Sequence, residues 1–228
     1  MHRFIPGLLV LIFGCGDSPD HIIHKHHQMV GDLSGIENIT AFANCSNSDG
    51  IYTTYTESSF QDDYLLFQQE YAFKKNPFYA LILSKEEGYG LDTLLTSQGP
   101  LSDPVIAVLK AHEFHEMMLQ PEDRYFGMKQ IEDTLFFNQK CLQLIASDHL
   151  GLPVRLFFDK TSKLMAGIAQ SNPYKKGEII RVHFEGWFVR DQIKLFHTVR
   201  VMQGESDEYI LEYKNITINN PDFNKIEL

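Results

Sequence analysis

The sequence predicts a mainly β protein of the α+β class, with a large curved antiparallel sheet or unclosed β-barrel and a covering helix. From Ile39 to Ile218, short alternating or β-branched segments recur between turn residues, which is the pattern of an antiparallel sheet. The exception is residues 101–119, whose apolar side chains recur at helical spacing between Asp103-Pro104 and Pro121. Such a helix can cover the concave side of the sheet.

The predicted elements of the first half are short. A helix is expected near the N-terminus, around His21 to Val30, and a hairpin turn at Asn47-Ser48-Asp49-Gly50, where Asp-Gly accommodates positive φ angles. The strands predicted here are Ile39–Ala43, Ile51–Tyr55, Tyr64–Tyr71, Tyr79–Ser84 and Tyr89–Leu94.

The second half carries the clearest strand pattern in the chain. Residues 181–184 and 209–216 largely alternate polar and apolar side chains, which indicates a sheet with one solvated and one apolar face. A further helical piece is possible around Pro121 to Gly127. The strands predicted are Thr134–Ser147, Val154–Asp159, Lys163–Gln170, Ile179–Phe188, Gln192–Met202 and Tyr209–Ile218.

The composition excludes several classes of protein. The chain has 228 residues, 43% of them hydrophobic, which is a globular mixture and not that of a disordered or collagen-like chain. Its net charge of −10 argues against a nucleic-acid-binding protein, which neutralises phosphates with clustered Lys and Arg. No cofactor motif is present: Walker and dinucleotide-binding patterns are absent.

The N-terminus has the pattern of an export signal. Arg3 is followed by a mostly apolar run from Phe4 to Phe13, too short to span a bilayer, since a spanning helix needs about 20 apolar residues. Ile12, Gly14 and Cys15 resemble the lipobox of a bacterial lipoprotein signal. That resemblance implies cleavage before Cys15 and lipidation of Cys15. A plain cleaved signal or a membrane-skimming segment is the alternative.

The predicted organisation follows from this signal. Residues 1–14 form the lipoprotein signal peptide, residues 15–21 a lipidated tether, and residues 22–228 a single β domain. Several acyl chains hold a protein on a membrane far better than one. The resemblance therefore implies a membrane-anchored protein of the bacterial cell envelope. By the same resemblance, Gly16 after the cysteine implies release to the outer membrane, while Asp17 and Asp20 resemble the acidic tether of surface-exported lipoproteins and leave the leaflet open.

Three segments of the mature chain resemble the LolA and LolB lipoprotein-localisation family. His27–Ile39 is similar to the family's opening helix and glycine-bearing turn, and Leu150–Ser162 to its hairpin with Asp-x-Thr turn chemistry. Val182–Leu195 resembles a pair of adjacent strands in the family. Gln192 stands where the family usually has Gly, and Phe196, the next residue after the segment, stands where it usually has Pro. The resemblance implies an open barrel whose cavity accommodates acyl chains, and no catalytic residues.

Apolar side chains on the concave face are the candidate ligand-binding residues. Exposure of such side chains costs roughly 25 cal/mol per Å², so a helix, a partner or a lipid must cover them. For each residue, plain core packing is the alternative. The candidates are Phe157, Phe184, Trp187, Phe188, Ile193 and Leu195.

One group of residues suggests metal chemistry. His115 and Glu116 follow His112 by three and four residues, so the three side chains could share a helix face and one metal ion. The spacing does not match the metalloprotease motif His-Glu-x-x-His or its inverted form. A metal-dependent envelope hydrolase is the alternative function, and a polar helix face is the structural alternative. We expect no enzymatic activity.

Two cysteines remain after Cys15 is assigned to lipid. Cys45 and Cys141 could form a disulfide in an oxidising envelope, or both could be buried free thiols. Neither alternative is favoured by the sequence.

The sequence as a whole predicts a lipid-anchored, monomeric envelope protein that binds a lipid or an acylated protein in an open barrel. Its expected location is the outer membrane, and no nucleic-acid partner is expected. A structural or interaction lipoprotein, with the concave face filled by its own side chains, remains the third possibility.

Overall fold

The computed structural model describes residues 18–61, 63–72, 77–84, 87–172, 174–204 and 207–226. Four helices occur among these residues: α1 (Pro19–Val30), α2 (Asp103–Lys110), α3 (Phe114–Leu119) and α4 (Pro121–Arg124). None of them, within the part of the chain described, is long and apolar enough to cross a bilayer. The strands are β1 (Asn38–Asn47), β2 (Gly50–Ser59), β3 (Leu65–Tyr71), β4 (Phe78–Ile82), β5 (Gly88–Leu91), β6 (Ser97–Pro100), β7 (Phe126–Phe136), β8 (Gln139–Ser147), β9 (Pro153–Asp159), β10 (Met165–Ser171), β11 (Ile179–Arg190), β12 (Ile193–Gln203) and β13 (Asp207–Ile218).

The strands form one antiparallel sheet of 13 strands in the order β6-β5-β4-β3-β2-β1-β13-β12-β11-β10-β9-β8-β7. Consecutive strands pair with each other from β1 to β6 and again from β7 to β13. Strand β1 also pairs with β13, which joins the two halves of the chain. Strands β6 and β7 are the two edges and do not pair with each other, so the described sheet is open. The predicted fold class, an open curved antiparallel sheet with covering helices, is confirmed.

The two faces of the sheet carry different cores. The larger core joins the sheet to α1 and α3, as the buried Ile22, Met118 and Phe158 illustrate. Phe157 points to the opposite face, because side chains alternate along a strand, and there it stacks on Phe136. The helices therefore cover one face, and a smaller aromatic cluster packs on the other.

Local sequence explains where α1 begins and ends. The Ser18 side chain accepts a hydrogen bond from the His21 backbone N–H, and Pro19 occupies the first turn, where its missing N–H has no cost. The helix ends at Gly31, whose φ is 129°. A Cβ at Gly31 would lie 2.6 Å from the Gln192 carbonyl oxygen, so only glycine permits this contact between α1 and the β11–β12 turn.

The predicted single helix over residues 101–119 is wrong, because the chain turns at residues 111–113 between α2 and α3. His112 Nδ1 lies 2.8 Å from the Val108 carbonyl oxygen, at the end of α2. All six residues of α3, Phe114–Leu119, are buried. Because both the polar and the apolar residues of α3 are buried, this segment has no solvent-facing side whose periodicity would show the break.

Two further differences concern strands. The predicted strand Thr134–Ser147 is a hairpin of β7 and β8, with Phe137 and Asn138 at positive φ angles of 45° and 64° in its two-residue turn. Strand β6 was not predicted. This strand has only four residues and they are largely exposed, so they show no apolar alternation.

Candidate ligand-binding cavity

A cavity of about 570 Å³ lies between the sheet and the segment that contains α2, α3 and α4. On the sheet side it is lined by one end of strands β10 to β13 and by β2. On the other side it is lined by the helices and by the β8–β9 turn at residues 148–150. The cavity therefore lies at one end of the covered face.

The floor of the cavity carries a row of apolar side chains beside the polar Gln170, Ser171 and Gln203. Val182, Val201 and Tyr209 are directly paired across β11, β12 and β13, so their side chains lie side by side on one face. Leu211 follows Tyr209 by two residues and points to the same face, and Ile180 and Tyr52 also line the cavity. This row gives the sheet side of the cavity an apolar surface.

Four charged side chains form a network at the helical side of the cavity, which we call the charged network: Lys110, Glu113, Glu116 and Arg124. Lys110 Nζ lies 3.0 Å from Glu113 Oε2 and Arg124 Nη2 lies 3.2 Å from Glu116 Oε1, and Arg124 Nη2 also pairs with Glu113 Oε2. Arg124 Nη1 donates to the Lys110 carbonyl oxygen at 2.8 Å. The network joins the end of α2 to α3 and α4.

Burial shifts the pKa values within the charged network. Burial, together with the nearby Glu116 carboxylate, raises the pKa of Glu113 to about 7, although Arg124 and Lys110 oppose this. Burial by itself lowers the pKa of Arg124, but the carboxylates of Glu116 and Glu113 raise it by more. The pKa of Arg124 is therefore above its ordinary value. Arg124 therefore stays charged, whereas Glu113 can take up a proton near neutral pH.

The six residues that the sequence predicted to bind ligand do not line the cavity. Phe184, on β11, is buried and stacks on Phe196, and Phe157 is on the opposite face of the sheet. Trp187 and Phe188 are partly buried at the far end of β11, while Ile193 and Leu195 are buried at the start of β12. None of the six is among the residues that line the cavity. Strands β11 and β12 do contribute to it, but through residues at their other ends.

The residues predicted to bind a metal have separate partners. His115 Nε2 lies 3.3 Å from the Phe196 carbonyl oxygen and its ring stacks on Phe196, while His112 contacts α2 and Glu116 pairs with Arg124. Burial lowers the pKa of His112, and it lowers the pKa of His115 to about 4. Within the described residues no three His, Cys, Asp or Glu side chains are placed to hold a metal ion. The structure does not bring His112, His115 and Glu116 together as a ligand set.

The cysteines are free thiols in the structure. Cys45 belongs to the core beneath the helices, whereas Cys141 belongs to the aromatic cluster on the opposite face. Strands β1 and β8 are also separated by five strands in the sheet order. The disulfide alternative is therefore not formed, because the two thiols lie on different faces of distant strands. Cys15 lies outside the described residues.

Of the lining residues, sequence reasoning named His112 and Glu116, as metal ligands, and missed the apolar floor, although its signal was present. Val182 and Tyr209 belong to the alternating segments that predicted β11 and β13, so their common face could be inferred. Lys110 and Arg124 carried no such signal. Their contact depends on the turns between α2, α3 and α4, which the pattern of residues does not show.

An open antiparallel sheet with helices over one face and a cavity between them defines a class of fold, and comparisons with known proteins place this chain in it. No family model matches the sequence, and no curated protein matches it. Three solved structures have the same fold at low sequence identity. The first, a LolA superfamily protein from Nitrosomonas europaea, has a TM-score of 0.62 at 8% identity and covers 90% of this chain and 95% of its own.

The other two are similar in extent. A DUF1329 family protein from Desulfovibrio piger has a TM-score of 0.58 at 13% identity, covering 87% of this chain and 90% of its own. A domain described as an outer membrane lipoprotein-sorting protein, from Vibrio parahaemolyticus, has a TM-score of 0.55 at 12% identity, covering 87% and 91%. The fold of this chain is therefore LolA/LolB-like, as its sequence segments predicted.

Proposed function

We propose that this protein binds a hydrophobic ligand, a lipid or the acyl chains of a lipoprotein, in the cavity of about 570 Å³. The cavity is the observation that carries the proposal. Its volume is within the range of small-molecule sites, about 300–1,000 Å³, and its floor includes a row of apolar side chains that an apolar group could contact. The interaction-lipoprotein alternative requires a concave face filled by its own side chains, and the cavity at one end of that face supports ligand binding instead.

The proposed setting is the outer membrane of a bacterial cell envelope, with the monomeric protein anchored through lipid on Cys15. The lipobox-like residues Ile12, Gly14 and Cys15 support the anchor. Ser18 caps α1 and follows Cys15 by three residues, so an anchor at Cys15 would hold the domain close to the membrane surface. Similarity in fold to a domain described as lipoprotein-sorting supports an envelope role.

Displacement of a fluorescent apolar probe tests ligand binding. The protein used runs from Gly16 to the C-terminus, which includes every helix and strand described. Val201→Trp should weaken probe binding at least about tenfold, because the larger ring occupies space above the floor. The matched control is Val189→Trp on β11, since Val189 is 64% exposed and lies outside the lining. Equal binding by both variants would show that the cavity is not the site.

The anchor is tested separately. Full-length protein is produced in a bacterial host and the cells are fractionated, with Cys15→Ser as the variant and Cys45→Ser as the control. We expect acyl mass on the wild-type N-terminal peptide and membrane association that Cys15→Ser abolishes and Cys45→Ser retains. Association that survives Cys15→Ser would refute the lipid anchor without affecting ligand binding.

A further inference from the structure

A second cavity, of about 530 Å³, lies on the face of the sheet opposite to the helices. Its floor is formed by β1, β2 and β3, through residues that alternate with those packed beneath the helices. The loop between β5 and β6 contributes Leu95, and the C-terminal segment contributes Asp222, Asn224 and Ile226. Three separate parts of the chain therefore border this space, which shares no lining residue with the cavity on the covered face.

The centre of this second floor is a row of uncharged side chains. Phe42, Tyr55 and Gln68 are directly paired across β1, β2 and β3, so they lie side by side. Phe42 is 37% exposed, although it lies in the middle of a strand, and Leu66 beside the row is buried. Aromatic and aliphatic surface of this kind contacts alkyl chains, and the face of an aromatic ring also attracts a cation.

Carboxylates lie at the two ends of this row. Glu57 pairs directly with Leu66, and Glu70 lies four residues further along β3, about 13 Å along the strand. Glu57 accepts a hydrogen bond from the Tyr55 hydroxyl, and Glu70 accepts one from the Tyr79 hydroxyl at 2.8 Å. A neutral hydroxyl does not offset the charge of a carboxylate, so both ends of the floor remain negative.

The C-terminal segment adds a third carboxylate at the Glu57 end. Asn220 Nδ2 donates to Thr40 Oγ1 at 3.1 Å, and Thr40 pairs directly with Glu57. Asp222 follows Asn220 by two residues and lines the cavity. Among the described residues that line it there is no Lys, Arg or His, and Lys225 of the same segment is exposed and outside the lining. The lining therefore carries negative charge at both ends of an uncharged row.

From these observations we propose that the second cavity binds a linear diamine or polyamine. The alkyl chain lies along the row of Phe42, Tyr55 and Gln68, and the two terminal ammonium groups lie at Glu57 and Glu70, in charge-assisted hydrogen bonds. A single metal ion would reach only one of these ends, because about 13 Å of strand separates them. The inference does not depend on the proposed function, since the two cavities lie on opposite faces of the sheet.

The test compares three amines by isothermal titration calorimetry at low ionic strength: diaminooctane, diaminobutane and octylamine. Diaminobutane has the same two charges as diaminooctane on a shorter chain, and octylamine has the same chain with one charge. Each is titrated into the protein that runs from Gly16 to the C-terminus. We expect diaminooctane to bind at least about fivefold more tightly than either of the others, and its affinity to fall as salt is added.

Glu70→Gln examines one end of the site. Glu70 is exposed and the amide retains an oxygen for the Tyr79 hydroxyl, so this variant should fold as the wild type does. Its affinity for diaminooctane should fall about fivefold, to that of octylamine. Glu132→Gln makes the same change on the exposed edge strand β7, outside the lining, and should retain the wild-type affinity. Val201→Trp, which fills the cavity on the covered face, should also retain it.

The outcomes separate this inference from the proposed function. If diaminooctane does not bind, or binds no more tightly than octylamine and diaminobutane, the diamine site is refuted while the binding of a hydrophobic ligand in the other cavity is unaffected. An unchanged affinity in Glu70→Gln would also refute it. Loss of diamine binding in Val201→Trp would assign the amine to the cavity on the covered face and refute the second site. The ranking of the three amines in the unmodified protein decides the question even if a variant does not fold.

Discussion

Acidification should destabilise this protein through the buried ring of His26, which joins α1 to the rest of the core. The ring is fully buried: its Nε2 donates to the Met118 carbonyl oxygen at 2.7 Å, and its Nδ1 accepts from the Met165 backbone N–H at 3.2 Å. This geometry requires the neutral ring, because a proton on Nδ1 would oppose the Met165 N–H. Burial, reinforced by the charge of His27, lowers the pKa of His26 from 6.5 to about 4, although the Met118 carbonyl and Glu122 oppose it.

The sign and the magnitude follow from this pKa. The unfolded chain binds a proton at His26 below about pH 6.5, whereas the folded protein does so only below about pH 4, so folding is opposed between these values. The stabilisation that comes from the neutral His26 ring is therefore complete above about pH 6.5, and it is lost as the pH falls towards 4. The full difference corresponds to about 3 kcal/mol, of which about 2 kcal/mol is lost between about pH 7.5 and about pH 5.

The assay is urea unfolding of the wild type and His26→Gln at about pH 7.5, 6 and 5. Over this range the protonation of His26 is expected to change the free energy of unfolding. Glutamine can still donate to Met118 but does not titrate, so the stability difference between the proteins should shrink by about 2 kcal/mol on acidification. Groups that titrate in both proteins, such as Glu113, largely cancel in this difference. His24→Gln, on the exposed side of α1, is the control and should retain the wild-type dependence. A difference that stays constant with pH for His26→Gln would refute the reasoning.

Three other predictions concern packing and thiol chemistry. Gly167→Ala should abolish folding or lower the free energy of unfolding by several kcal/mol, because the added Cβ would lie 2.0 Å from the Val182 carbonyl oxygen, between β10 and β11; thermal unfolding measures this. Phe196→Ala should cost about 3–5 kcal/mol in urea unfolding, because Phe196 is fully buried. Cys45 and Cys141 should resist a thiol reagent in the folded protein and both react in urea without reductant, because they are buried and unpaired and burial raises the pKa of each to about 11.

These predictions have matched controls. Gly35→Ala adds a Cβ with no atom within 4 Å and should change stability little, so equal effects at Gly35 and Gly167 would contradict the packing argument. Leu94, which is 83% exposed, is the control for Phe196, and its replacement by Ala should cost less than about 1 kcal/mol. For the thiols, a mass two hydrogens lower without reductant, with no reaction in urea, would indicate the disulfide.

The sequence by itself determined the fold class, most of the strands and the position of α1, because these depend on local patterns. Alternation with a period of two identifies a strand with one buried face wherever that strand lies in the sheet, as in residues 209–216. The Ser18 cap likewise acts on the turn of helix next to it, and because of it α1 begins at Pro19, two residues before the predicted start at His21. Such features were therefore readable without the rest of the chain.

Only the tertiary structure decided where the cavity lies and what surrounds it. Phe184 and Val182 share one strand and one face, yet Phe184 is covered by the core around Phe196 while Val182 faces the cavity. The difference arises because Phe196, on which Phe184 stacks, is itself stacked on the His115 ring of α3, whereas Val182 faces the space between the helices and the sheet. Lys110 and Arg124 meet only because α2, α3 and α4 turn sharply on one another. Contacts of this kind depend on how the helices pack against the sheet, which no local pattern of residues specifies.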